Sequence, residues 1–434
     1  MEKRTESIQW ISQPGTDPVA LEAMLQAVLR EGHAPNLKHG RRKELYHVRG
    51  SNGVQTYLLK VNRYAGTSYW RHLRTSKAHR EFARAQAAAA RGIPTPLPLA
   101  AGEQRCHGAL TACYLFTPYL PEARDLRALQ RENKLLAAAR HAAVRHLGQL
   151  THRLVESGVF QEDFAPNNIL WCGSNETLQL IDFERVRILR RPLRFRETRW
   201  MIGKLLRELP DISASERMRF LLAFCNGDRT AARRWWRELE AFAPKLARRD
   251  LRRMRRAATS PGRRFFPIAV VDWKGYARRG ACSDVLEKLL PESEKTAPEK
   301  VLVENQWFWV LHAGGLRRCA ALALWSAANT LYERGLAPRP VALLRRKRET
   351  LYVAESRPES EVLDAEVARR LRTTLAVFLR RLRLTGQWSE EMPPHALVFE
   401  LPAKTAKTLR LLDPRWLKIA GRAGPPRTLP HLLR

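Results

Sequence analysis

Between Gly158 and Arg187 the chain reads GVFQEDFAPNNILWCGSNETLQLIDFERVR. Asp163 is followed five residues on by Asn168 and nineteen residues on by Asp182. A turn-like Phe164-Ala165-Pro166-Asn167 segment lies between the first two. Two apolar runs, Ile169-Leu170-Trp171 and Leu178-Gln179-Leu180-Ile181, flank the polar turn Gly173-Ser174-Asn175-Glu176. The pattern is loop, strand, turn, strand, with Asp182 at the end of the second strand. Phosphoryl transfer from ATP needs a carboxylate that orients the attacking hydroxyl and takes its proton. It also needs oxygen ligands that hold Mg²⁺ against the phosphates. Asp163 fits the first role. Asn168 and Asp182 fit the second, because a short hairpin returns both to one loop.

Other elements must position such a site. Asp17–Arg30 reads as an amphipathic helix with Asp17 as N-cap and Pro18 at its first position. Leu45–Val48 and Thr56–Val61 read as strands around the turn Gly50-Ser51-Asn52-Gly53. Lys60 lies in the second of them and, taken alone, is an ordinary strand-end lysine. Ser76–Arg91 is a strong Ala-rich helix with a Ser cap and Gly92 as its stop. Glu81 near its start reads equally as an acid favoured by the helix dipole. Gly40, before the first strand, is a lone turn glycine with no GxGxxG around it. Leu110–Tyr119 is an apolar strand, Asp125–Ser157 is helical, Trp200–Leu209 is a helix, and Ala231–Arg256 is a long Arg-rich helix. A capped helix start is expected at Ser213 or Ser215.

With these elements the chain resembles the protein-kinase-like fold. Asp163, Asn168 and Asp182 stand where that fold has the Asp of HRD, the catalytic-loop Asn and the Asp of DFG. Its HRD is Gln161-Glu162-Asp163, and its DFG is Asp182-Phe183-Glu184 followed by Arg185. The IDFER form, and the helix leading through Gly92-Ile93-Pro94, are similar to bacterial lipopolysaccharide core kinases, the WaaP-like and Kdo kinases. The resemblance implies a Lys60–Glu81 clamp on the ATP phosphates and a phosphate-covering loop at Gly40. It also implies MgATP as cofactor and a sugar hydroxyl of the lipopolysaccharide inner core as acceptor. The missing HRD arginine suggests that no activation-loop phosphate acts as a switch. A protein or small-molecule kinase of the same fold is a second reading. A non-catalytic pseudokinase scaffold for anionic partners, favoured by the altered QED, is a third.

Beyond Thr259-Ser260-Pro261-Gly262, which looks like a domain boundary, the pattern returns weakly. ANTLYERGLAPRPVAL (328–343) echoes AQAAAARGIPTPLPLA, GQWSEEMPPHALVF (386–399) echoes GVFQEDFAPNNILW, and LRLLDPRWLKI (409–419) echoes LQLIDFERVRI. In this alignment Glu391, Ala396, Asp413 and Leu324 take the places of Asp163, Asn168, Asp182 and Glu81, and no lysine matches Lys60. The expectation is an α+β, two-lobed kinase-like fold, duplicated. Residues 1–260 form the catalytic domain, with a small lobe at about 1–117 and a large lobe at about 118–260. Residues 261–434 are then a degenerate copy.

The net charge of +34 attracts polyanions: nucleic acid, anionic lipid or phosphorylated glycan, among which charge does not choose. The 6 cysteines form no CxxC and no zinc spacing, so free thiols are expected. The first residues, MEKRTESIQWISQPG, lack the apolar core of a signal peptide. The longest apolar run, Cys319–Ala328, is too short to span a bilayer. Together these suggest a cytoplasmic protein, free or peripheral to an anionic inner-membrane surface. A lipopolysaccharide or other phosphorylated glycolipid is the expected partner. Oligomeric state is not legible.

Overall fold

The computed structural model describes residues 8–362 except 32–35, 39–42, 51–54, 65–74, 133–136, 174–175, 210–211, 263, 291–298, 313–317, 335, 348 and 359. Beyond 362 it describes Phe378 and four short strands. Gly40, Glu391, Ala396 and Asp413 lie outside the described residues. The chain divides into two compact units, one of residues 1–205 with 213–236 and one of residues 206–212 with 237–434.

The first unit opens with β1 (Ile8–Ser12), α1 (Pro18–Glu31), β2 (Asn36–Lys38), β3 (Lys43–Arg49) and β4 (Thr56–Arg63). Then come α2 (Lys77–Ala89), β5 (Ala100–Cys106) and β6 (Ala109–Pro118). The six strands form one antiparallel sheet in the order β1-β5-β6-β4-β3-β2. Strand alternation sends Leu59, Val61, Ala100, Tyr114 and Phe116 to one face, where Leu21 and Leu25 of α1 cover them. Ala101, Cys113 and Leu115 face the other way, against Ala78 and Phe82 of α2. Asp17 accepts from the Val19 N–H at 2.9 Å at the start of α1. Ser76 accepts from the His79 N–H at 3.0 Å and caps α2, and Gly92 beyond its end has φ +75°.

The helical part follows with β7 (Ala123–Asp125), α3 (Leu126–Glu132), α4 (Ala137–Glu156) and β8 (Val159–Gln161). A 3₁₀ turn, Pro166–Asn168, leads into β9 (Ile169–Cys172) and β10 (Thr177–Leu180). A second 3₁₀ turn, Phe183–Arg185, leads into β11 (Val186–Ile188). Three helices follow: α5 (Phe195–Glu208), α6 (Ala214–Phe224) and α7 (Arg229–Ala258). The α6 cap is Ser213, in a capping box with Glu216. Gly148 lets α4 approach α6, since a Cβ there would lie 2.4 Å from the Phe220 carbonyl oxygen.

The second unit contains β12 (Phe265–Val270), β13 (Trp273–Arg278), α8 (Ser283–Lys288), β14 (Glu299–Val303) and β15 (Gln306–His312). It continues with α9 (Arg318–Tyr332), β16 (Pro340–Arg346), β17 (Glu349–Glu355) and β18 (Ser360–Val362). The last strands are β19 (Gln387–Trp388), β20 (Leu397–Glu400), β21 (Leu409–Leu411) and β22 (Lys418–Ile419).

Its strand orders resemble those of the first unit. Five strands of its large sheet run β13-β16-β17-β15-β14, the order of β1-β5-β6-β4-β3. The order β18-β20-β21 matches β7-β9-β10, and β19-β22 matches β8-β11. Registers agree too. Leu397↔Leu411 stands for Ile169↔Leu180, and Gln387↔Ile419 stands for Val159↔Ile188. The buried residues of α9 include Ala321, Leu324, Trp325, Ala328 and Leu331, at the spacing of Ala78, Glu81, Phe82, Ala85 and Ala88 on α2.

Candidate functional site

Lys60 is placed by strand register. It pairs with Leu45 on one side and Leu115 on the other, which turns its side chain toward α2. Glu81 sits one helical turn in from the Ser76 cap, buried beside Phe82 and Ala85. The Lys60 Nζ donates to both Glu81 carboxylate oxygens, at 2.9 and 2.6 Å, and to Asp182 Oδ1 at 3.1 Å. Burial works against the ammonium, but Glu81 and Asp182 together hold its pKa above the ordinary lysine value. Burial pushes the Glu81 carboxyl up, and Lys60 pulls it back. For Asp182 burial also acts upward, yet Lys60 and then Lys43 leave its pKa below the usual carboxylate value.

The start of α2 is fixed from the sheet. Glu103 on β5 accepts the Ser76 N–H at 2.6 Å and contacts His79 at 3.1 Å and Arg105 at 2.9 Å. The helix is therefore anchored one turn before Glu81, which sets the depth at which that carboxylate meets Lys60.

Asp182, two residues beyond β10, has φ 62° and ψ 73°, a left-handed backbone that a non-glycine residue adopts at a cost of about 1–2 kcal/mol. Two bonds hold it there. Gln161 Nε2 donates to the Asp182 carbonyl at 3.0 Å, and the Ile181 N–H donates to the Asn168 carbonyl at 2.9 Å. Asn168 is buried, and its Nδ2 donates to the Asp163 carbonyl at 2.8 Å. Its Oδ1 accepts from Asn167 Nδ2 at 2.9 Å. The catalytic-loop candidates are thus tied to one another through backbone groups.

Of the residues singled out in the sequence, the fold brings Lys60, Glu81 and Asp182 into direct contact, and Asn168 bonds the backbone of Asp163. Several neighbours were not visible in the sequence. Lys204 of α5 ion-pairs with the Asp163 carboxylate and donates to the Glu162 carbonyl at 3.2 Å. Lys43 of β3 lies on the same sheet face as Lys60, opposite Asn62, and burial followed by repulsion from Lys60 lowers its pKa. Glu184 is held by Lys77 of α2 at 2.7 Å, and Arg84 of α2 donates to the Glu184 carbonyl. Only strand parity hinted at Lys43. Nothing near the motif points to Lys204, which is 41 residues from Asp163.

A lysine clamped by a buried glutamate over an aspartate on a strained turn, beside a second aspartate and an asparagine, is suited to gripping a polyphosphate next to a base. Residues 33–221 match the family model described as lipopolysaccharide kinase (Kdo/WaaP) family. This segment belongs to that family. Its unit is accordingly a kinase domain, and the α+β class read from the sequence holds. No curated protein matches the chain. Among solved structures, one described as WaaP in complex with acyl carrier protein is similar at 17% identity and a TM-score of 0.38. The match covers 52% of this chain and 95% of that one. No helix among the described residues is long and apolar enough to cross a membrane.

Proposed function

We propose that the Kdo/WaaP-type unit transfers the γ-phosphoryl group of ATP to a sugar hydroxyl of the lipopolysaccharide inner core. The observation that carries this reading is the contact of Lys60 with both Glu81 and Asp182, with Asn168 and Asp163 joined beside it. Lys60, held charged, would grip phosphate oxygens, and Glu81 would keep its ammonium aimed. Asp163 would orient the acceptor hydroxyl and take its proton as the acceptor oxygen bonds to phosphorus.

Among the described residues no group of three His, Cys, Asp or Glu side chains gathers. Mg²⁺ takes one or two carboxylates together with substrate phosphates. Asp182 and Asn168 would hold it, and it would supply positive charge against the phosphates. Asp182, its pKa depressed, is in the ionised form that this needs.

On the same reading, the exposed cations of α7, among them Arg233, Lys245, Arg252, Arg253, Arg255 and Arg256, would rest against phosphorylated glycolipid or the anionic surface that carries it. Residues 261–434 would be a degenerate copy without metal chemistry. Supporting this are the repeated strand orders and the replacement of the clamp. Leu311 pairs with Tyr352 as Lys60 pairs with Leu115, and it lies in one apolar cluster with Leu324, which takes the Glu81 place.

The test is phosphate transfer from radiolabelled ATP to purified lipopolysaccharide. Transfer should require Mg²⁺ and vanish in Asp163→Ala, while Asp163→Ala still shows an ATP-dependent thermal shift and Asp182→Ala does not. A wild type without any MgATP shift would favour a non-catalytic scaffold.

A further inference from the structure

The carboxylate assigned as base is already bonded to a cation from a distant part of the chain. Lys204 sits in α5, whose neighbouring Met201, Ile202 and Leu205 are fully buried and lock the helix in place. Its side chain is 17% exposed, and its ammonium touches Asp163 Oδ1 and the Glu162 carbonyl oxygen, 3.2 Å away. The loop from Gln161 to Asn168 contributes no cation of its own: it reads Gln-Glu-Asp-Phe-Ala-Pro-Asn-Asn. Lys60 is occupied on the other side by Glu81 and Asp182.

We infer that Lys204 is a catalytic residue that binds the phosphoryl group in flight. This rests on the kinase reading above. In that reaction the acceptor oxygen forms a bond to the γ-phosphorus, and the bond from that phosphorus to the β,γ-bridging oxygen breaks. ADP leaves with the electron pair, and the acceptor proton goes to Asp163. Negative charge spreads over the three equatorial oxygens of the group being transferred. The acceptor hydroxyl must lie within hydrogen-bond reach of Asp163, and in this proposal the ammonium bonded to that carboxylate sits on the side from which the phosphorus approaches. Lys204 neutralises an equatorial oxygen while still fixing Asp163, so one side chain serves both the base and the charge that develops. A purely structural role explains less. Asp163 is 43% exposed, and an ion pair this open to solvent contributes only about 0–1 kcal/mol to folding.

The experiment compares Lys204→Met and Lys204→Arg with wild type in the full chain. It measures phosphate transfer to purified lipopolysaccharide and the slow MgATP hydrolysis that uses water as acceptor. Lys204→Met should lower kcat by about 10²–10³-fold in both reactions, the loss typical of one electrostatic donor. ATP affinity, the KM for lipopolysaccharide and Tm should stay near wild type, and Lys204→Arg should recover about tenfold over Lys204→Met. A Lys204→Met enzyme with kcat within about threefold of wild type would overturn the assignment. So would a change confined to the acceptor KM, or a fall in kcat that tracks a fall in Tm and is not rescued by arginine. A wild type that neither binds nor turns over MgATP would remove the kinase reading, and this one with it.

Discussion

Lys60 has two carboxylate partners, and the nearer one is buried with it. Removing the amine leaves the buried Glu81 carboxyl without its partner, and breaking a buried pair in this way costs about 3–5 kcal/mol. Removing Glu81 instead would leave Lys60 to collapse onto Asp182 and take it from the metal role proposed for it. Lys60→Ala and Glu81→Ala should therefore each abolish most phosphate transfer, and the double variant should be little worse than either single one. Steady-state kinetics on the three proteins checks this, and additive losses would mean the two side chains act separately. The spacing of Asp163, Asn168 and Asp182 made these three readable in the sequence because one short hairpin carries them all. Lys60 and Glu81 needed a resemblance, since a strand lysine and a glutamate near a helix start are common. Lys204 stayed hidden because contact across a helix packing leaves no local pattern.

The helix that carries Glu81 is anchored at one end by Glu103. Hydrogen bonds from Ser76 and Arg105 outweigh burial and hold the pKa of Glu103 below the ordinary glutamate value. A carboxylate with a depressed folded pKa adds stability above its unfolded pKa, and that stability is lost as pH falls through the folded value. Glu103→Gln should be less stable than wild type at pH 7, by about 1–3 kcal/mol, and the gap should close as pH falls below about 4. Urea melts across that range give the answer. A second element-scale test is the α4–α6 crossing. A Cβ added at Gly148 would meet the Phe220 carbonyl oxygen at 2.4 Å and the Ala223 Cβ at 2.8 Å, both fixed by helix packing. Gly148→Ala should thus lose about 1–3 kcal/mol by overpacking, read as a lower urea midpoint with an unchanged slope. Helix caps were the most legible elements: Asp17, Ser76 and Ser213 each stand where their side-chain chemistry puts them. The Arg-rich helix runs from Arg229 to Ala258, longer at both ends than its periodicity indicated. Pro244 does not end it.

At the scale of the whole molecule, five strands of each large sheet follow one order, and on the proposed reading the second unit would lack the clamp of the first. Where the first has an ion pair between sheet and helix, the second has Leu311 and Leu324, both buried in one apolar cluster. Leu324→Ala should cost about 2–5 kcal/mol and leave ATP affinity unchanged, as followed by chemical melts and nucleotide titration. Asp413→Ala should leave phosphate transfer at the wild-type rate, and a marked loss there would end the degenerate-copy reading. The recurrence of turns and apolar runs along the sequence was legible. The Leu311 substitution was not, because locating the counterpart of Lys60 takes sheet register, not spacing. In the first unit, Glu184 stands where the DFG motif has its glycine, and it is roped to α2 by Lys77 and by Arg84 on its carbonyl. The Lys77 contact needs a side chain that a glycine lacks, so at this position the chain trades backbone freedom for a tether between the turn and the helix that carries Glu81.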